Sequence, residues 1–157
     1  MKMSDIQTAL DRIPCPVGVV LQPPEVITVS WFTQISRTPP LIALSIAPQT
    51  SVTPSLAAKK KFTLAILRGD QETVARTCGH HQTREPDKIK AAGLEIVNSE
   101  ALTTPWIKNA LLNLECKVIE ENLHGDHVLY VAEVTGAVAS EQKHRPLVFV
   151  DRDLISL

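Results

Sequence analysis

Apolar and polar positions alternate in two rhythms along the chain, and the two divide it between strands and short helices. Residues 17–21 and 26–31 are nearly unbroken apolar, β-branched runs joined by Gln22-Pro23-Pro24-Glu25, which predicts a hairpin with a tight connection. Residues 41–46 and 62–67 predict a third and a fourth strand, the third bounded by Pro39-Pro40 before it and Pro48 after it. Between these two strands Pro54 opens a short helix, and Lys59-Lys60-Lys61 close it with charge favourable to the helix dipole. Ser4-Asp5-Ile6-Gln7 has capping-box spacing and predicts a helix through Ile13, stopped by Pro14 and Pro16. The middle of the chain is helical and irregular. Asp70 caps a segment through Thr77 that Gly79 stops, and Pro86-Asp87 opens another that Gly93 stops. Strand patterning returns in residues 112–121 and 127–139, with 122–126 as the turn of a long hairpin, and 147–150 is a last short strand. Six or seven strands at hairpin spacing, with short peripheral helices and no repeat or linker, predict an antiparallel barrel rather than a βαβ sheet. At 157 residues the expectation is one domain over 1–157.

Charge narrows the function classes. Lys and Arg total 16 against 17 Asp and Glu, a formal net charge of −1, which leaves no electrostatic footprint for nucleic acid or an acidic membrane surface. No apolar run approaches the roughly 20 residues of a membrane span, and the polar start lacks an apolar signal core, so the expected location is cytoplasmic. Cys15, Cys78 and Cys116 are odd in number and widely spaced, which predicts reduced, buried thiols rather than disulfides.

Three stretches carry candidate chemistry. In Pro48-Gln49-Thr50-Ser51-Val52-Thr53-Pro54, three hydroxyl residues crowd a helix start, where free N–H groups and the positive helix end favour an anion; alternatively, Thr53 simply caps the helix. The stretch from Thr28 through Val29, Ser30, Trp31, Phe32 and Thr33 to Ser36 reads as a strand running into a hydroxyl-rich loop. It either lines a flat aromatic ligand or alternates between core and solvent. Gly125-Asp126-His127 is turn chemistry whose histidine either faces solvent or serves a site mouth. Cys78, His80, His81, His124 and His127 match no zinc spacing, and neither a dinucleotide fingerprint, a P-loop nor a nucleophile elbow is present, so no metal is expected.

In their order, five segments resemble the flavin reductase-like, FMN-binding split-barrel family: Thr28-Val29-Ser30-Trp31-Phe32-Thr33-Gln34-Ile35-Ser36, Pro39-Pro40-Leu41-Ile42-Ala43-Leu44-Ser45-Ile46, Lys88-Ile89-Lys90-Ala91-Ala92-Gly93-Leu94, Asn113-Leu114-Glu115-Cys116 and Gly125-Asp126-His127. The resemblance implies a mainly β fold, a six-stranded antiparallel Greek-key split barrel with short peripheral helices, working as a homodimer with FMN or FAD near the subunit boundary. It implies that Thr28, Val29, Ser30, Trp31, Phe32 and Thr33 lie beside the flavin ring and ribityl chain. Ala47, Gln49, Thr50, Ser51 and Thr53 fall in the segment that holds the phosphate, Lys88 in a helical segment near the cofactor, and His127 on the nicotinamide side. The implied activity is an NAD(P)H:flavin oxidoreductase, with an electron-accepting protein as a further partner; a non-enzymatic FMN-binding electron carrier is the alternative. The flavin would carry the redox chemistry, which accounts for the lack of a triad or paired carboxylates. Where the family commonly has a glycine pair near its end, this chain has Asp151-Arg152.

Overall fold

The computed structural model describes residues 2–80 and 87–157. Its helices are α1 (Met3–Leu10), α2 (Val52–Lys59), α3 (Glu72–Gly79) and α4 (Lys88–Ala91). Its strands are β1 (Cys15–Pro16), β2 (Gly18–Gln22), β3 (Glu25–Val29), β4 (Phe32–Arg37), β5 (Pro40–Ile46), β6 (Lys61–Ile66), β7 (Ile96–Val97), β8 (Trp106–Ile107), β9 (Leu112–His124), β10 (His127–Ala139), β11 (Leu147–Val150) and β12 (Asp153–Ser156). Among the described residues, no helix is long and apolar enough to cross a membrane.

Seven strands form one antiparallel sheet in the order β3-β2-β6-β9-β10-β5-β4. The pairs β2–β6 and β5–β10 join strands distant in sequence, so the arrangement is a Greek key and not a meander. β3 and β4 lie at opposite ends of this order, yet only Ser30 and Trp31 connect them. In a flat sheet they would be roughly 28 Å apart at the usual strand spacing. Three peptide steps reach about 10 Å. The sheet must therefore curl until its two edges meet at Ser30-Trp31, which closes a barrel with a seam at that junction.

Side-chain parity explains the unbroken apolar runs. Val20, Ile27, Val29, Leu44, Phe62, Leu64 and Tyr130 point into the barrel. Val19, Leu21, Val26 and Ala65 point outward and are covered by Ala75 and Cys78 of α3, Ile107 and Leu147. β2 is thus buried at every position, a pattern usual for strands covered on both faces.

Several boundaries differ from the sequence reading. The main sheet has seven strands, not six, because residues 32–37, expected as a loop, form β4 on the edge of β5. Its side chains are mostly exposed and show no apolar alternation, so the strand exists through the hydrogen bonds that β5 supplies. α2 begins at Val52 with Ser51 at its N-cap, two residues before Pro54, which sits in the first turn where its missing N–H costs little. Lys2, not Ser4, starts α1, its N–H donating to Asp5 Oδ2 at 3.0 Å, and the helix ends at Leu10 rather than Ile13. Asp70 does not cap α3; it pairs with Arg68 at 2.9 Å, and Gln71 holds the N-cap position. Asp87 caps α4 through Lys90 N–H at 2.9 Å, whereas Pro86, expected to help open that helix, lies outside the described residues. β12 adds a second arm to β11 beyond the last strand that the sequence predicts. The turn residues Asp151 and Arg152 have φ of 51° and 64°, the left-handed region that favours glycine. Arg152 is held there by Asp11 at 2.5 Å.

Candidate functional site

The strand ends that meet at the seam position the candidate residues. Thr28 and Val29 end β3, Ser45 and Ile46 end β5, and His127 starts β10, where Val128 pairs with Ile46. Trp31 is tied to this rim by its carbonyl, which accepts from Ser45 N–H at 2.9 Å. A cleft of about 190 Å³ opens there, lined by Thr28, Val29, Ser30, Trp31, Thr50 and His127, with Ile27, Ser45, Ile46 and Ala47 completing the wall. The lining includes no acidic side chain.

The aromatic side of the cleft is Trp31 and His127, whose ring centres are 4.7 Å apart at an interplanar angle of 44°. Trp31 is 50% exposed, so its indole offers an open face to a flat ligand. The polar side is the start of α2. The Thr50 and Thr53 hydroxyls are 2.9 Å apart, and Thr53 Oγ1 also donates to Ala47 carbonyl at 3.4 Å. Thr53 N–H is used by Thr50 carbonyl at 3.2 Å, and Pro54 has no N–H. That leaves the Ser51 and Val52 N–H groups without a backbone acceptor among the described residues. Free donors at a helix N-terminus, beside a buried hydroxyl and away from carboxylates, suit a phosphate.

Of the residues singled out in the sequence, Thr28, Val29, Ser30, Trp31, Ala47, Thr50 and His127 come together at this cleft. Thr28 Oγ1 is committed elsewhere, donating to Ala75 carbonyl of α3 at 2.6 Å. Thr53 stands behind Thr50 rather than on the surface of the cleft. Phe32 turns into the barrel, its ring tip 3.4 Å from where a Gly18 side chain would begin. Thr33 is exposed on the β4 edge, and Gln49 and Ser51 are exposed beside the helix start. Lys88 opens α4, away from the cleft walls, with its charge acting on Cys78.

A second cavity, about 330 Å³, shares the Thr28–Ser30 wall and is otherwise bounded by Val17, Ala75, Arg76, Gly79, His80, Phe149 and Leu154. Sequence reading missed this cavity, since its walls come from segments as far apart in the chain as Val17 and Leu154. It also missed Ser45, although a single hydroxyl in the apolar run of β5 was a usable signal.

The cysteines take no part in this rim. Burial pushes the Cys78 thiol up to about 11 and the Cys116 thiol up to about 12, so both stay protonated and unreactive near neutrality. Cys15 is half-buried rather than buried, and all three are free. Among the described residues no group of three or more His, Cys, Asp or Glu is placed to hold a metal ion; His81 lies outside them.

A curled antiparallel barrel with an open indole, an imidazole and helix-start donors along its seam defines a class: a barrel whose rim has the groups to seat a flat-ringed, anionic ligand. The chain belongs to the flavin reductase like domain family, whose model matches residues 10–157. It is 30% identical to an NADH-dependent flavin reductase of Rhodococcus sp over 69% of this chain and 57% of that protein. It is 26% identical to the 4-hydroxyphenylacetate 3-monooxygenase reductase component of Klebsiella oxytoca, over 75% of this chain and 68% of that protein. In fold it is similar to the NADH:FAD oxidoreductase of Streptomyces globisporus, with a TM-score of 0.85 and 24% identity over 98% of this chain and 92% of that one. The residues present fit a flavin: helix-start donors and Thr50 for its phosphate, Trp31 and the Thr28–Ser30 backbone for its ring.

Proposed function

We propose that this chain is an NAD(P)H:flavin oxidoreductase that holds FMN in the seam cleft, with its phosphate at the start of α2. The observation carrying this reading is the convergence of Ser30-Trp31, Ala47–Thr50 and His127, three separate stretches of sequence, on one rim. The family membership and the NADH-dependent relative support it. When bound, the flavin supplies the hydride-accepting chemistry. The protein's part is to bind, orient and exclude. Thr50 and the helix-start N–H groups anchor the phosphate, Trp31 walls one side of the ring, and His127 stands at the mouth where a nicotinamide would enter. The three free thiols suit a reducing, cytoplasmic setting. The Klebsiella relative is named as the reductase component of a monooxygenase, which supports an electron-accepting partner protein for this chain too.

Anaerobic mixing of the purified protein with FMN and NADH tests the activity, and FAD and NADPH run alongside rank the pairings. Flavin absorbance is expected to bleach far faster than with flavin and nicotinamide alone. Flavin binding without bleaching would instead favour the electron carrier, and neither binding nor bleaching would dismiss both.

We further propose that the protein is a homodimer. Met3, Ile6, Leu10 and Ile13 expose an apolar stripe along α1 and just beyond it, and Ile35 is exposed on β4, whose outer edge is unpaired among the described strands. Light scattering at micromolar concentration is expected to report twice the 17.2 kDa chain mass, and a monomer would overturn the proposal.

A further inference from the structure

The reversal between β9 and β10 is made by Gly125, with φ of 62°, followed by Asp126. Asp126 Oδ1 lies 2.7 Å from His127 Nδ1. The carboxylate is 93% exposed, whereas the imidazole is only 23% exposed, leaning on Trp31 and lining the cleft. Across the hairpin His127 pairs in register with His124, which is exposed; among the described residues Asp126 is the one carboxylate bonded to the ring. An ionised carboxylate can only accept a hydrogen bond, so a neutral imidazole at this contact carries its hydrogen on Nδ1. Nε2 is then the bare nitrogen, and it belongs to the ring edge turned away from Asp126.

We propose that Asp126 is a positioning residue that holds His127 in the Nδ1–H tautomer, so that the cleft mouth offers Nε2 as a hydrogen-bond acceptor. The chemistry this recognises is an N–H donor, such as the amide of a nicotinamide carboxamide, rather than a phosphate oxygen, which needs a donor. The identity of that substrate rests on the reductase reading; the tautomer does not. The same contact lowers the Asp126 carboxyl below its ordinary range, first through the hydrogen bond from His127 and then through the charge of the ring when it is protonated; the carboxylate that faces the neutral ring is ionised and can only accept.

The tautomer is read directly by long-range proton–nitrogen NMR of the nitrogen-labelled, ligand-free protein, at an alkaline pH where the spectrum shows a neutral ring. The His127 signal is assigned by its loss in His127→Asn. The parent is expected to show a protonated Nδ1 and a bare Nε2. Asp126→Ala, at an exposed turn position, should move the population to Nε2–H. Asp126→Asn, whose amide oxygen still accepts, should keep the parent pattern. In turnover, Asp126→Ala should raise KM for NADH about three- to tenfold, the worth of one neutral hydrogen bond, with kcat little changed, and Asp126→Asn should restore most of it. A parent ring protonated on Nε2, or a tautomer indifferent to Asp126→Ala, would overturn the positioning role. A tautomer that shifts while KM for NADH stays fixed would overturn the recognition of the carboxamide. A parent that transfers no hydride, yet shows the expected tautomer shift, would refute the reductase reading and leave the positioning role standing.

Discussion

Glu115→Ala is expected to lower the thermal midpoint by about 5 °C, corresponding to about 1–3 kcal/mol for a chain of this size. Glu115 is 6% exposed on β9 and gathers four short hydrogen bonds. Thr103 N–H and Thr103 Oγ1 donate to Oε2 at 2.5 and 2.7 Å, Thr104 N–H donates to Oε2 at 3.0 Å, and Thr135 Oγ1 donates to Oε1 at 2.7 Å. Thr135 reaches it because the β9–β10 register shifts between Val134 and Gly136, leaving Thr135 as the extra residue of a bulge. The carboxylate therefore fastens the 102–105 segment to two central strands. Removing it strands the buried Thr104 N–H, the costly form of a lost hydrogen bond, whereas the exposed Thr103 and Thr135 donors can turn to water. Glu115→Gln keeps one acceptor oxygen and should fall between parent and alanine. Circular dichroism melts check the series, and a parent-like midpoint for the alanine variant would refute the role.

The same site sets a pH dependence. Desolvation pushes the Glu115 carboxyl up, but the hydrogen bonds from Thr135, Thr103 and Thr104 outweigh it and hold it below its usual range. A lowered folded value means that the stabilisation is complete above the ordinary glutamate value of about 4.3 and is lost as pH falls through the folded value. Melting curves across acidic pH should show this loss in the parent and a flatter dependence in Glu115→Gln.

The second large effect concerns ligand binding. Thr50→Val is expected to weaken FMN about tenfold to a hundredfold while leaving riboflavin, which lacks the phosphate, nearly unaffected. Thr50 is 7% exposed, faces the cleft, and lies 2.9 Å from the Thr53 hydroxyl. Thr53 has one hydroxyl hydrogen, and when an acceptor enters the cleft that hydrogen turns from the Ala47 carbonyl to Thr50, which frees the Thr50 hydrogen for the acceptor. A hydrogen bond to a charged phosphate contributes about 1.5–3 kcal/mol, which gives the stated range. Valine keeps the shape and removes the hydroxyl. Ser51→Ala serves as the contrast: its side chain is exposed and makes no cap bond, so in the proposed site only its backbone N–H would serve the phosphate, and affinity should hold. Fluorescence titration of both flavins measures this. Equal losses for FMN and riboflavin would move the phosphate away from Thr50.

The sequence by itself determined the strand runs and their hairpins. Val17–Leu21 and residues 26–29 are apolar at nearly every position, and only strands buried on two faces need that. The prolines and Gly125 mark reversals through local backbone preferences that no distant contact has to supply. It also brought to notice stretches that meet at the seam cleft, since hydroxyls clustered before Pro54 and a histidine after Gly-Asp are local signals. What the tertiary structure decided was direction and closure. Thr50 faces the cleft while Gln49 and Ser51 beside it face solvent, and Phe32 enters the barrel while Trp31 stays at its mouth. A shift of one residue reverses a strand side chain, and strand register is set by the partner strand, not by the residue itself. β4 is a strand because β5 offers it hydrogen bonds, and Glu115 is buried because a segment 11 residues earlier folds over it. The seam itself exists because two residues must join the two edges of a seven-stranded sheet, a constraint that appears only once the strand order is known.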